Sequence, residues 1–199
     1  MKAFNGFKSE AMNSKPKALP AGGYVAKILA AKVDGNEPDQ SLVIRVDVVE
    51  GNFANYFRDR YKAEKERAEK NSSSFEPKYK GDFRLRIPND ENTKAMYPDS
   101  DKRRFNDAIY RIEKSNPGYH WDWNENGLVC LTIGINMQAG EYNGSPYTRI
   151  GRLEIADDVR NGIVEAMRPR EPRSDAYEPP VDQQSGFVKV EEDTSLPWF

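Results

Sequence analysis

The strongest constraint on this chain is a set of short segments whose apolar residues recur at every second position. That period belongs to strands with one buried and one solvated face. Leu42 to Val49 shows it most clearly: Leu42, Ile44, Val46 and Val48 alternate with Val43, Arg45, Asp47 and Val49. In Asp82 to Ile87, Phe83, Leu85 and Ile87 face one way while Asp82, Arg84 and Arg86 face the other. Leu128 to Met137 sets Val129, Leu131, Ile133, Ile135 and Met137 against Cys130, Thr132, Gly134 and Asn136. Gly22 to Val33 is a looser strand, with Val25, Leu29 and Val33 predicted on one face. Tyr147 to Ile155 is a fifth, entered through an Asn143-Gly144 hairpin turn. Asp34 to Gln40 has the turn chemistry to join the first two.

One segment has a helical period. In Ser100 to Lys114, Phe105, Ala108, Ile109 and Ile112 fall at i, i+3, i+4 and i+7. Pro98 precedes it, and Ser100 is predicted to cap it. Asn52 to Lys80 reads as a long exposed excursion: Lys62 to Lys70 has helix formers but no apolar stripe. Asp157 to Met167 is predicted as a short helix. Five strands with one helix between the third and fourth match the layout of an OB-fold, a small, partly open barrel that binds oligonucleotides. The predicted class is mainly β: a five-stranded OB-fold barrel over residues 18–172, a flexible arm over 1–17, and a disordered acidic tail over 173–199.

Charge separates these parts. The 199 residues hold 30 Lys+Arg and 32 Asp+Glu, a net of −2. Residues 1–172 carry 28 basic and 26 acidic side chains, and 173–199 carry 2 and 6. This is not a bulk polyanion coat, but a mildly basic barrel can hold a strand locally. The single Cys130 and single His120 exclude an intramolecular disulfide and a Cys/His zinc site. His120 has no evident catalytic partners, Cys130 reads as a buried small hydrophobe, and no acidic nuclease motif stands out. Binding without cofactor or metal is expected, and no enzymatic activity. There is no run of about 18 apolar residues for a membrane span, and Met1 to Pro20 lacks the apolar centre of a secretion signal. An intracellular protein is expected.

Binding a single strand without sequence preference needs cations along the phosphates and flat rings for the bases. Candidate cations on the strands are Lys27, Arg45, Arg84, Arg86, Arg149 and Arg152. The competing reading is a solvated sheet face with paired charges. Asn55 to Lys62 interleaves rings with bases most densely, giving Tyr56, Arg58, Arg60 and Tyr61, with Phe57 predicted buried and Tyr56 or Tyr61 exposed. Trp121 and Trp123 are the remaining ring candidates, for bases or for packing.

The chain ends on Glu191, Glu192, Asp193, Thr194, Ser195, Leu196, Pro197, Trp198 and Phe199. An acidic lead into a hydrophobic tip reads as a docking peptide. It resembles the acidic tip of bacterial single-stranded DNA-binding proteins, on Glu191, Glu192, Asp193, Leu196, Pro197 and Phe199, with Trp198 inserted. The body resembles a family of phage and mobile-element single-stranded DNA-binding proteins of Gram-positive bacteria. Leu19 to Val25, Val46-Asp47 with Glu50-Gly51, Ile112 to Tyr119 with Trp121, Gly140 to Tyr142, and Arg149 carry that resemblance. It implies an OB-fold strand binder in DNA replication or recombination, in the host-cell cytoplasm. Partners would be single-stranded DNA, replication or recombination proteins at the tip, and further copies in a dimer or tetramer. The alternative is an OB-fold adaptor that does not hold DNA.

Overall fold

The computed structural model describes residues 18–71, 74, 76–89 and 98–172. The predicted N-terminal arm and acidic tail lie outside them. Among the described residues no helix is long and apolar enough to cross a membrane.

Five strands form one antiparallel sheet: β1 (Gly22–Asp34), β2 (Ser41–Val48), β3 (Asp82–Arg86), β4 (Thr132–Tyr142) and β5 (Ser145–Glu154). Their order is β3-β2-β1-β4-β5, so β1 is central and β3 and β5 are the edges. The inner face is what the alternation of β2 and β3 demands. Leu42, Ile44, Val46, Val48, Phe83 and Leu85 are buried with Ala26, Ile28, Ile133 and Ile135. Helix α2 (Pro98–Ser115) closes this core with Phe105, Ala108, Ile109 and Ile112, the predicted stripe. It begins at Pro98, not after it; proline suits a first helical position, where no N–H is needed. Asn116 fastens its other end, donating to the carbonyls of Ile112 and Thr132 and accepting from Thr132 N.

The fold is mixed α/β rather than mainly β, because the excursion after β2 contains α1 (Tyr56–Lys70). Phe57 is its one buried residue, so the helix is anchored at its start and polar beyond. β1 departs from its expected pattern. Val25 lies opposite Ala26 and Ile28, and a bulge between Ile28 and Ala30 shifts the alternation at Leu29, so that Val33 registers with Leu42 of the inner face and is exposed only near the strand's end. The fourth strand starts at Thr132, after a short 3-10 turn over Glu125–Leu128. Cys130 lies in the connection with φ of 72° and is exposed, contrary to the buried small hydrophobe expected. The predicted helix after β5 is only α3 (Ala156–Arg160), which stops before Gly162 at φ 68°. The chain then runs extended back over β4. Glu165 O accepts from Asn136, Arg168 O accepts from Gln138, and Arg170 N donates to Ala139 O.

Candidate nucleic-acid interface

The solvent-side face of β1, β2 and β3 gathers five of the predicted cations. Cross-strand register puts Lys27 beside Asp47, Arg45 between Ala30 and Asp82, Arg84 in a row with Val43 and Lys32, and Arg86 in a row with Ser41 and Asp34. Arg58 reaches this face from the first turn of α1, with Nε 3.7 Å from Asp47 Oδ2.

Most of these cations are already partnered. Arg45 Nε and Nη2 donate to Asp82 Oδ1 and Oδ2 at 2.7 and 2.9 Å. Arg84 Nη2 donates to Asp34 Oδ2 at 2.7 Å, and Arg86 pairs with Asp39 and, at 3.7 Å, with Asp101. The bond from Arg84 holds the Asp34 carboxyl below its ordinary value. These pairs are solvent-accessible, so water and salt screen them. They hold the guanidinium planes in place without sealing them from a competing anion.

The rings that meet this face belong to a connected set that runs inward to the core. The Arg45 guanidinium lies 4.7 Å over the Tyr79 ring, and Tyr61 meets Tyr79 edge-on at 5.8 Å. From Tyr79 the ring contacts continue through Phe57, Tyr56 and Phe53 to Tyr24. This set docks α1 on the sheet: Phe57 is buried as expected, and Tyr61 is half-buried at the open end. Tyr56 is turned inward instead, its hydroxyl accepting from Leu19 N at 3.0 Å and from Arg60 Nη1 at 3.2 Å. Arg60 is further bound to Glu64. Tyr79 and Lys32 were missed in the sequence; Tyr79 sits in an irregular stretch, and its place over Arg45 comes from the tertiary fold, which bonds its hydroxyl to Val46 O.

Asp47 organises the junction. It is 1 % exposed, and its Oδ1 accepts from Val48 N and Phe57 N, both at 3.0 Å. The N-cap residue Asn55 has no side-chain capping bond, so a carboxylate from β2 does this work across the fold. Its Oδ2 has no hydrogen-bond partner among the described residues, and burial pushes the carboxyl above its ordinary value. Burial likewise raises the Tyr79 hydroxyl, which donates to Val46 O at 3.0 Å.

The other candidates lie apart. Arg149 and Arg152 pair with Gln138 and Asn136, the face crossed by the segment after α3, and Arg152 is bound to Glu154. Trp121 and Trp123 lie against α2. Trp123 stacks on Phe105 at 5.7 Å and 11°, is 68 % exposed, and has φ of 64°. Acidic Glu113, Asp122 and Glu125 sit in this stretch, and Glu113 accepts from Trp121 N. The tip residues Glu191 to Phe199 are outside the described residues. Among those described, no group of three or more His, Cys, Asp and Glu could hold a metal. The chain matches no protein-family model, and no curated protein matches it at a significant level.

Proposed function

We propose that this chain binds single-stranded DNA, with little sequence preference, across the outer face of β2 and β3. The reading is carried by one observation: Arg45 seated over Tyr79, with Tyr61 beside it and Arg58, Arg84 and Lys32 around them. Rings able to take a base and cations able to follow its phosphates share one face, which is the combination non-specific strand binding requires. The strand order, with α2 between β3 and β4, supports an OB-type barrel, where the strand 2–3 face takes oligonucleotides. The edges β3 and β5 both line one cleft, as the two margins of a barrel would. The resemblance to phage and mobile-element strand binders supports a role in replication or recombination, with the acidic tip recruiting partner proteins.

Anisotropy of labelled oligo-dT, titrated with the full chain at two salt concentrations, tests this. Affinity should fall steeply with salt, by about 0.7 in log–log slope per phosphate contacted. Duplex of equal length should bind much more weakly. Equal affinity for duplex and single strand overturns the reading. The ion pairing of Arg45, Arg84 and Arg86 favours the second reading, an adaptor whose charges only stabilise the sheet. That reading expects no measurable oligo-dT binding.

A further inference from the structure

Two clefts meet at the edge of β3, and the outer-face array does not account for them. The first, about 480 Å³, is lined by Asp39 and Ser41 from the β1–β2 side, Arg84, Leu85 and Arg86 of β3, and Asp101 and Arg104 of α2. The second, about 240 Å³, lies between β3 and β5 over α2, and shares Leu85 and Arg104 with the first. Their chemistry differs. The first brings three guanidinium groups to one mouth. The second has an apolar floor of Phe83, Leu85, Ala108 and Leu153, with Met167 at its margin.

The carboxylates at this mouth are committed to other arginines. Asp39 and Asp101 both pair with Arg86, and Asp107, on the rim of the second cleft, accepts from Arg111 Nε at 2.9 Å. The Arg104 side chain has no hydrogen bond or ion pair among the described residues. It therefore stands at the junction of a polar mouth and an apolar slot with its charge uncommitted. An arginine fork suits a phosphate oxygen pair. A narrow apolar slot with a thioether at its margin suits the flat face of a ring. Arg84 belongs both to this mouth and to the outer-face row with Val43 and Lys32, so a bound chain can pass from one to the other.

We propose that this pair of clefts is a nucleotide subsite of the bound strand. The base enters the slot between β3 and β5, against Met167 and the exposed edge of Phe83, and its phosphate lies on Arg104 and Arg86. The proposal rests on the single-stranded DNA reading and adds a place where the strand leaves the outer face and crosses the edge of β3.

Oligo-dT anisotropy with the full chain tests it, using Arg104→Glu and Met167→Glu. Arg104 is exposed on α2 and Met167 is half-buried on the segment after α3, so neither change opens the core. Arg104→Glu should weaken binding about tenfold and reduce the salt slope by about 0.7, the loss of one phosphate contact on a single strand. Met167→Glu should weaken it about fivefold or more, the lower range for one stacked base. Oligonucleotides with abasic residues should lose less affinity for Met167→Glu than for the unaltered chain. Wild-type binding with both variants unchanged within twofold overturns the subsite and leaves the outer-face reading standing. No binding by the unaltered chain overturns both. A labelled peptide of the sequence Glu191 to Phe199 provides a further arm. If Arg104→Glu abolishes its binding while oligo-dT affinity is untouched, the clefts belong to an acidic peptide and the subsite is overturned.

Discussion

Replacing Asp47 with alanine should lower the unfolding free energy by about 2–6 kcal/mol, since two buried N–H donors lose their acceptor at about 1–3 kcal/mol each. The donors are Val48 N, in β2, and Phe57 N, in the first turn of α1. The denaturant midpoint should fall, and amide exchange should accelerate first in α1, whose one buried side chain is beside the lost bond. Asp47→Asn isolates the charge. It keeps an oxygen for both donors and removes a carboxylate whose second oxygen has no hydrogen bond. At neutral pH it should stay within about 1 kcal/mol of wild type, the net scale of one hydrogen bond. The pH dependence has a definite sign. The folded carboxyl is raised by burial, so the folded state holds its proton more tightly than the unfolded state, where the value is about 3.9. The wild type should therefore gain stability relative to Asp47→Asn as pH falls from neutral through the folded value towards about 4, then level off. A wild type that loses stability relative to Asp47→Asn on acidification would contradict the raised carboxyl, and an alanine variant within about 0.5 kcal/mol of wild type, the size of change seen at unremarkable surface sites, would mean that this carboxylate does not hold α1.

Tyr61→Ala should weaken oligo-dT binding by about 1–3 kcal/mol, roughly 5- to 150-fold, the loss of one base-stacking face. Tyr61 is the ring at the solvent end of the aromatic set, meeting Tyr79 edge-on, and its hydroxyl makes no hydrogen bond among the described residues. Its removal should cost little stability, which separates it from Phe57 and Tyr79. A phosphate-contacting side chain leaves a different signature: its loss changes the salt slope, whereas loss of a stacking ring shifts affinity at constant slope. Tyr61→Ala is therefore measured at two salt concentrations, and parallel lines are expected. Unchanged affinity would remove Tyr61 from the interface.

The strands that could be read from the chain are those where both faces keep strict time. β2 and β3 alternate without interruption, and their inner residues are buried; on the outer face of β2, Val43 and Asp47 are buried as well, which the alternation does not announce. The stripe of α2 was equally legible because Phe105, Ala108, Ile109 and Ile112 all face one core. β1 was misread because its bulge at Leu29 breaks the count, and no local residue announces a bulge. Cys130 was misread because an apolar run continues past the end of a 3-10 turn and hides it. α1 has a polar surface beyond its first turns, so nothing in the spacing marks it as docked; Phe57 and a carboxylate ten residues earlier do that. The candidate cations were found singly, but their pairing was not. Arg45 and Asp82 are 37 positions apart, and Arg84 and Asp34 are 50 apart, so only the sheet register brings them together.

The central position of β1 divides the sheet into two runs of local pairing. β1, β2 and β3 zip in chain order, and β4 with β5 forms its own hairpin. Only the β1–β4 ladder joins them, with Gly22 opposite Met137 and Lys27 opposite Thr132. Closing that ladder brings together partners more than a hundred residues apart, which costs more chain entropy than either local run. The two halves are therefore expected to form first, and their joining to govern the folding rate.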